Sequence, residues 1–253
     1  FLTCNETNAD AEAEAYSVLA QIIAYQSHQE LYLYRTVEAN ALRPRFDPFL
    51  GEEEALAGFI AADARVTMHD QPGNTVAFLF RSDTSRIGTR KYYSPTDSMG
   101  ITPGSSYELS ISTTSSVIRG RTVVPGDFRV LAPQPNAVFP TINGFIQVNS
   151  SWTLSANARG YIVKIKLKTA FEFGGQRYPV EHSTMYTTTD TSLSKLLSRP
   201  YPFVATEEWQ FSVQSFDENY YQHRYNSRDK SGVAGAYGYF GSGVLKTVRI
   251  RVQ

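Results

Sequence analysis

The sequence predicts an all-β protein made of two consecutive β-sandwich domains. Apolar and polar residues alternate with a period of two along many short runs, as in strands that place one face on a core. Pro and Gly interrupt these runs about every ten residues, as turns between strands do. Tyr and Phe are abundant, at 16 and 15 residues, and aromatic side chains favour pleated, half-buried surfaces. A chain of 253 residues is long enough for two domains that each bury a core.

The clearest strand pattern lies between Asn149 and Lys168. Its apolar residues recur at every second position in two runs, Trp152, Leu154, Tyr161, Val163, Ile165 and Leu167. Residues 155–160 between the runs are turn-like. We expect two antiparallel strands of a sandwich here, with Trp152 as the large central side chain.

The first 15 residues are polar and predict a flexible N-terminal tether, and residues 16–130 form the first predicted domain. From Tyr16 the sequence YSVLAQIIAY predicts a strand, followed by a turn at 26–29 and a second strand at 30–36. A helix is the alternative for the first run, because Val18, Leu19, Ile22 and Ile23 share one helical face.

The rest of the first domain predicts further strands, which bring its total to roughly seven. These strands cover 64–70, 75–81, 92–95, 106–111 and 117–124. Residues 38–58 predict a long connection with one helical turn near Glu52 to Ala57. The acidic run Glu52-Glu53-Glu54 is best interpreted as a solvated loop or helix start.

Residues 131–144 carry three prolines and predict a stiff Pro-rich interdomain linker. The second predicted domain covers 145–253. Its strands are predicted at 145–148, 151–154, 161–173, 185–189, 209–217 and 245–252. In the last of these, Val244, Val248, Ile250 and Val252 share an inner side with Lys246, and Arg249 and Arg251 face water.

Charge and residue types exclude several function classes. The 24 basic and 24 acidic side chains balance, so no electrostatic footprint for nucleic acid is present. A single cysteine, Cys4, allows no internal disulfide and no multi-cysteine zinc site. The four histidines, His28, His69, His182 and His223, stand at no metal-ligand spacing, and the Gly-x-Ser-x-Gly nucleophile motif is absent. We therefore predict no enzyme activity, no metal and no cofactor.

The richest polar and aromatic cluster runs from Phe216 to Tyr225. One interpretation is a surface that stacks on a sugar ring or holds calcium through Asp217, Glu218 and Asn219. The other is the end of a strand, where Asp and Asn bond the turn backbone and tyrosines cap the sandwich.

The glycine-rich run from Gly232 to Gly243 includes three aromatic side chains. It is predicted either as a mobile loop that reaches a partner protein or as a segment that packs its rings over the end of the sandwich. The candidate residues for binding a ligand or partner in these two clusters are Tyr220, Tyr221, Tyr237, Tyr239 and Phe240.

The first four residues indicate how the protein could be anchored to a membrane through a lipid. Phe1-Leu2-Thr3-Cys4 resembles the end of a bacterial lipoprotein signal, although a small residue normally precedes the cysteine. Cys4 is therefore a candidate for lipid attachment, and an unmodified thiol on a flexible terminus is the alternative. Phe1 is not an initiator methionine, so we expect a longer precursor with an upstream signal.

Short motifs resemble known modules. The spacing from Trp152 to Tyr161 resembles the B and C strands of fibronectin type III domains, and residues 209–217 are similar to the F strand of that fold. In the first domain, residues 63–68 with Gly104-x-x-Tyr107 and Gly120-x-Thr122 resemble a transthyretin-like or immunoglobulin-like module. The order of these pieces resembles a family of uncharacterised envelope lipoproteins of Gram-negative bacteria, from about residue 16 to the end.

The resemblance implies a protein of the bacterial cell envelope, associated with the outer membrane, or an extracellular protein. Together with the residue analysis it predicts a non-catalytic structural or interaction module, which binds protein partners at the cell surface or self-assembles. Packed sheets would hold aromatic loops such as 235–243 in place, and open sheet edges would allow pairing by strand addition. The alternative is a glycan-binding accessory module that uses the cluster from Asp217 to Tyr225.

Overall fold

The computed structural model describes residues 15–36, 61–83, 89–173, 176–198 and 207–252. The predicted connection at 38–58 and nearly all of the predicted tether lie outside the described residues. Within the described residues, no helix has the length and apolar character needed to cross a membrane.

The chain is an all-β sandwich, as predicted, in which two sheets share a core. The strands of the large sheet are β1 (Ala15–Ala24), β2 (Glu30–Thr36), β3 (Arg65–Asp70), β4 (Thr75–Asp83), β5 (Thr89–Tyr93), β6 (Ser106–Ser112), β7 (Val117–Val123), β9 (Val138–Phe139), β12 (Gly160–Phe173), β13 (Gln176–Thr188), β15 (Glu207–Phe216), β16 (Lys230–Ser231), β17 (Val233–Ala234) and β18 (Tyr237–Val252). They lie in the order β13-β12-β15-β18-β1-β2-β5-β4-β3-β6-β7-β17, with β16 and β9 paired to β18.

The small sheet faces the large one across the core. It consists of β8 (Val130–Ala132), β10 (Thr141–Ile142), β11 (Phe145–Trp152) and β14 (Ser192–Ser198), with β11 in the middle. At the centre of the core the ring of Trp152 meets the ring of Tyr161 edge-on, with centroids 5.3 Å apart. Trp152 is therefore the central side chain that the sequence predicts.

The strand interpretation of the N-terminal apolar run is confirmed. β1 and β2 form an antiparallel pair across the predicted turn. Val18 and Ile22 face the main core, whereas Leu19 packs on the opposite face of the sheet. A strand that is buried on both faces reads as a nearly continuous apolar run, and this is why the same residues also fit a helical pattern.

The last strand, β18, joins the two halves of the chain. Its first half pairs in parallel with β1, from Ser17 opposite Tyr237 to Ala24 opposite Val244. Its second half pairs antiparallel with β15. The predicted division at 131–144 stays a prediction, and this pairing shows that both halves contribute strands to one hydrogen-bonded sheet.

The large sheet curls until β7 lies against β18. The Ser242 hydroxyl of β18 donates to the Val123 carbonyl oxygen of β7 at 3.0 Å. The two-residue strand β17, which directly precedes β18, pairs with β7 as well. The inner faces of the first seven strands therefore enclose apolar residues from β3, β6 and β7, such as Met68, Leu109 and Ile118.

The predicted pattern near Trp152 needs three corrections. The strands expected at 145–148 and 151–154 are one strand, β11, which ends at Trp152. Leu154 lies beyond that end and is 73 % exposed, so it does not share the inner face with Trp152. β11 belongs to the small sheet and β12 to the large sheet, so the two runs face each other instead of pairing.

Two further features of the second half differ from the expectation. β14, with the sequence SLSKLLS, was missed because adjacent leucines interrupt its alternation. The Pro-rich segment 131–144 contains β9, β10 and part of β8, which pair with β18 and β11. Its role as a linker stays a prediction.

Glycines let β18 pass close to its neighbours. Gly238 has φ of +92°, and a Cβ atom added there would lie 2.0 Å from the Val18 carbonyl oxygen of β1. An added Cβ at Gly243 would lie 2.3 Å from the Ser215 carbonyl oxygen. A side chain at either position would push β18 away from the strand next to it.

We predict that Gly238→Ala destabilises the protein far more than Gly73→Ala. Both glycines have positive φ, but Gly73 has no atom within 4 Å of an added Cβ. Gly73→Ala should therefore cost only the backbone strain, about 1–2 kcal/mol. Gly238→Ala adds a collision with the Val18 backbone, so it should lower the free energy of unfolding at least twice as much as Gly73→Ala does. Denaturant titrations of the two variants measure this difference. Equal costs would contradict the close approach of β1 and β18.

Candidate functional site

The cluster from Phe216 to Tyr225 contains a short helix, α1 (Glu218–Tyr225), where the sequence predicted a strand end and turn. Asp217 is its N-cap, and its Oδ1 accepts a hydrogen bond from the Tyr220 amide at 3.0 Å. The helix lacks an apolar stripe, so periodicity does not reveal it. The available signals were the Asp217 cap, Glu218 in the first turn, and His223 and Arg224 in the last turn, since these charges favour the two ends of a helix.

The five predicted binding residues lie close together around α1 and the start of β18, but three of them are buried. Tyr220 and Tyr239 are 0 % exposed and Phe240 is 1 % exposed. The rings of Tyr220 and Tyr239 meet edge-on with centroids 5.6 Å apart. Tyr221 and Tyr237 are half-buried, so only these two present surface to a ligand, and their binding role stays a prediction.

The segment from Gly235 to Gly243 is mostly strand, and its aromatic side chains pack on both faces of the sheet. Phe240 faces the main core, whereas Tyr239 lies in a second cluster with Leu19, Tyr34 and Phe216. Of the two interpretations of this segment, ring packing describes the structure. The expectation of displayed aromatic loops was wrong for Tyr239 and Phe240, because β1, β7 and α1 cover them.

The Asp217 carboxylate is the most deeply buried acid described, at 4 % exposure. Thr122 donates to its Oδ2, and the Ser242 hydroxyl lies 3.1 Å from the same oxygen. The Asp217 amide donates to the Ser242 carbonyl oxygen at 3.1 Å. This one side chain thus connects β7, β18 and α1.

Burial raises the pKa of Asp217 to about 6, and the hydrogen bonds from Thr122, Tyr220 and Ser242 oppose that rise. A neutral carboxyl also fits the geometry. The protonated Asp217 carboxyl can then donate to the Thr122 hydroxyl. The Thr122 hydroxyl donates to the Ser242 hydroxyl at 2.9 Å, and the Ser242 hydroxyl donates to the Val123 carbonyl oxygen. Each hydroxyl in that chain donates once and accepts once.

A cleft of about 460 Å³ opens beside this network. Arg121, Asn157, Glu218 and Asn219 line it with Asp217. Glu218 is held by Gln222 and Arg159, which lower its pKa. Asn219 donates to the Arg121 and Phe240 carbonyl oxygens at 2.8 and 2.9 Å. Glu218 and Asn219 already bind protein partners, and the bond from Asn219 to the Arg121 carbonyl oxygen packs α1 against β7 along the cleft.

The calcium interpretation of this cluster requires oxygens of Asp217, Glu218 and Asn219 that are free to bind the ion. No group of three or more His, Cys, Asp or Glu side chains suited to a metal ion occurs among the described residues. Both carboxylate oxygens of Asp217 accept hydrogen bonds from the protein. The interpretation in which Asp217 and Asn219 bond nearby backbone groups therefore describes this cluster.

The described histidines are separated from one another. His69 bonds the Thr75 hydroxyl at 2.7 Å, and His28 lies 3.4 Å from a Glu30 oxygen. The His223 ring packs against the Tyr239 ring at a tilt of 31°, with centroids 4.8 Å apart, and burial lowers the pKa of His223. The side chain of His182 and the Glu52-Glu53-Glu54 run lie outside the described residues, as does Cys4.

A different surface, which the sequence analysis missed, is the outer face of the small sheet. Ile142 and Phe145 are direct cross-strand neighbours there, at 67 % and 44 % exposure. Leu196, 61 % exposed, is opposite Gln147 and therefore diagonal to Phe145. Diagonal neighbours on one face of a sheet are within reach of large side chains, so the three form one apolar patch.

The outward-facing positions of β11 and β14 carry no charged side chain. They are Phe145, Gln147, Asn149, Ser151, Ser192, Ser194, Leu196 and Ser198. Gln147 donates to the Ser194 hydroxyl at 2.7 Å, and that hydroxyl donates to Asn149 at 2.8 Å. We call this surface the uncharged face: an apolar patch beside a polar region whose groups bond one another.

No family profile and no curated protein matches the sequence. Among solved structures, a titin fragment, A168169, matches at 10% identity over 94% of this chain and 99% of its own, with a TM-score of 0.23. A DUF4785 family protein from Legionella pneumophila matches at 10% identity over 78% and 52%, with a TM-score of 0.22. CBD12 from CALX1.2 matches at 9% identity over 93% and 99%, with a TM-score of 0.20. At these scores the similarities carry no argument about this chain.

We predict that the stability supplied by Asp217 falls as pH rises from about 4 to about 7. Its pKa is higher in the folded than in the unfolded protein, so the folded state binds the proton more tightly, and this advantage disappears above pH 6. Relative to Asp217→Asn, which cannot ionise, the wild type should lose about 2–3 kcal/mol of unfolding free energy across this range. Denaturant titrations at several pH values measure the difference.

Asp190→Asn is the control, because it removes the same charge from an exposed site. A difference between wild type and Asp217→Asn that stays constant from pH 4 to 7 would contradict the raised pKa.

Proposed function

We propose that this protein is a non-catalytic interaction module that associates with a second copy of itself through the uncharged face. The observation that carries the proposal is the exposed patch of Ile142, Phe145 and Leu196 on a sheet face without charges. Interface centres are poor in charged residues and rich in aromatic ones, with polar groups around them. The uncharged face shares the lack of charge and carries one aromatic side chain, Phe145, and four of its eight outward positions on β11 and β14 are Ser.

Two copies of this face can pack together without burying a charge. The chain as a whole has a formal net charge of zero, so long-range repulsion between copies is small. The small sheet is three strands wide, because β8 and β10 both pair with β11, and its two longer strands have eight and seven residues. At about 5 Å between strands and about 3.3 Å per residue, the face covers roughly 15 Å by 25 Å. This is smaller than the roughly 800 Å² that each partner contributes to a typical stable complex, so we expect weak, concentration-dependent association.

Face packing is favoured over strand addition at β14. β14 is an edge strand of the small sheet. At its centre, Lys195 is directed toward the inner side, where its ammonium lies 5.0 Å from the centroid of the Tyr186 ring. An inward-directed lysine is a common protection of sheet edges, because an added strand would shield its charge from water.

The bacterial cell envelope is the proposed location, and the resemblance to envelope lipoproteins and the sequence around Cys4 support it. Association through a weak face suits an anchored protein, because anchoring holds copies at high local concentration.

We predict that the natural protein carries a diacylglyceryl group on Cys4. Mass spectrometry of the native N-terminal peptide checks this directly. A peptide that retains Phe1 with an unmodified thiol would remove the lipid anchor from the proposal.

We predict that the wild type shows a monomer-dimer equilibrium in sedimentation velocity between about 10 μM and 1 mM, the range expected for a small interface. Leu196→Lys and Phe145→Lys should remain monomeric across this range, because each places a charge in the contact. The control is Leu79→Lys, which changes a leucine of similar exposure, 53 %, on β4 of the large sheet. A monomeric wild type, or an equal loss of dimer in the control, would contradict the proposal.

A further inference from the structure

A cleft with two arginines lies on the outward surface of the large sheet, between the hairpin of β6 and β7 and the short strand β17. It measures about 700 Å³. The polar side chains among its lining residues are those of His69, Glu108, Ser110, Arg119 and Arg121. We call it the arginine cleft.

Three arginines stand close together on this surface. Arg119 and Arg121 are two residues apart on β7, so their side chains leave the same face of the strand about 7 Å apart. Ser110 is directly opposite Arg119, and Glu108 is directly opposite Arg121. Arg65 of β3 lies on the same face, one cross-strand row closer to the turn between β6 and β7. Three guanidinium groups and one carboxylate give this surface an excess of positive charge.

The three arginines are available to an anionic partner. No carboxylate among the described residues lies within ion-pair distance of Arg65, Arg119 or Arg121. All three residues are exposed, so a carboxylate from outside the sheet can reach them. A guanidinium group binds a carboxylate through two parallel hydrogen bonds, so a segment with several carboxylates is complementary to this surface.

The N-terminal segment of the chain contains such carboxylates. Residues 1–14 include no Lys or Arg. Their acidic residues are Glu6, Asp10, Glu12 and Glu14. The segment therefore has the charge that the arginine cleft lacks.

The position of β1 brings this segment to the cleft. The Tyr16 hydroxyl lies 3.3 Å from the Ser115 hydroxyl, and Ser115 belongs to the turn between β6 and β7. The chain before Ala15 therefore joins the sheet beside that turn. Ten residues span at most about 35 Å, and Arg121 is about 20 Å from Ser115 along β7, so the acidic residues can reach the whole cleft.

We propose that the acidic segment from Glu6 to Glu14 binds to the arginine cleft. Its carboxylates pair with Arg65, Arg119 and Arg121, and the contact is favoured because both partners belong to one chain and have a high effective concentration. The contact holds Cys4 beside the cleft, so it orients the sandwich relative to a lipid on that residue. It involves a different surface from the uncharged face and does not depend on self-association.

A nitroxide spin label on Cys4, the single cysteine, tests this contact in the full recombinant chain with an unmodified thiol. In two-dimensional amide NMR at low salt, paramagnetic broadening should be strongest at residues 108–110, 119–121 and 232–234. Sodium chloride at about 1 M should remove most of this broadening, because salt screens exposed charge pairs.

The double variant Arg119→Gln with Arg121→Gln should reduce the broadening roughly threefold or more, as expected when two exposed ion pairs are lost. The matched control is Arg249→Gln with Arg251→Gln, which removes two exposed arginines at the same spacing on β18. This control should leave the broadening unchanged. Replacing the four acidic residues of the segment by their amides should have the same effect as the cleft variant.

Three results would overturn the proposal. The broadening could be strongest at another surface, it could be spread evenly over the protein, or the two double variants could reduce it equally. Amide shifts away from the substituted strands show whether each variant keeps the fold, so loss of the contact is distinguished from unfolding.

Discussion

The parallel pairing of β1 with the first half of β18 is the constraint on which the rest of the structure depends. It brings the start and the end of the described chain into one sheet, and it requires glycine at 238 because the Val18 backbone lies so close. The second half of β18 then continues into the pairing with β15. A single strand therefore fixes the curled part of the large sheet relative to the part that faces the small sheet. Such pairing between distant segments is slow to form, because loop closure precedes its contacts.

This arrangement determines which residues are available for function. Because β1 and β18 are covered by the main core on one face and by α1 on the other, tyrosines near the C-terminus serve packing. Asp217 caps α1 and bonds β7 and β18, so its raised pKa reflects a structural role at a junction. The uncharged face of the small sheet is one surface that remains available.

Much of the fold could be predicted from the sequence, because alternation reports which residues of a strand face the core. The turn at 26–29, the hairpin of β3 and β4, and the inner side of the last strand around Val244, Ile250 and Val252 follow the expected pattern. Alternation does not report which strands pair. The parallel contact of β1 with β18 and the placement of β11 and β12 in different sheets depend on contacts between distant residues, and no local pattern encodes them.

The functional surfaces were harder to predict for the same reason. The aromatic residues at 220, 239 and 240 attracted attention by their chemistry, but their exposure depends on whether another element covers them. The patch of Ile142, Phe145 and Leu196 comes from three strands, β10, β11 and β14. Only the assembled sheets bring such residues together.

Native-state hydrogen exchange tests the central claim, the β1-β18 junction, most directly. The amides of residues 17–24 and 237–244 should be among the most slowly exchanging in the protein, and they should lose protection together at the free energy of global unfolding. If the β1 amides exchange at a much lower free energy while β18 stays protected by β15, the two strands do not form one cooperative unit, and the account is contradicted.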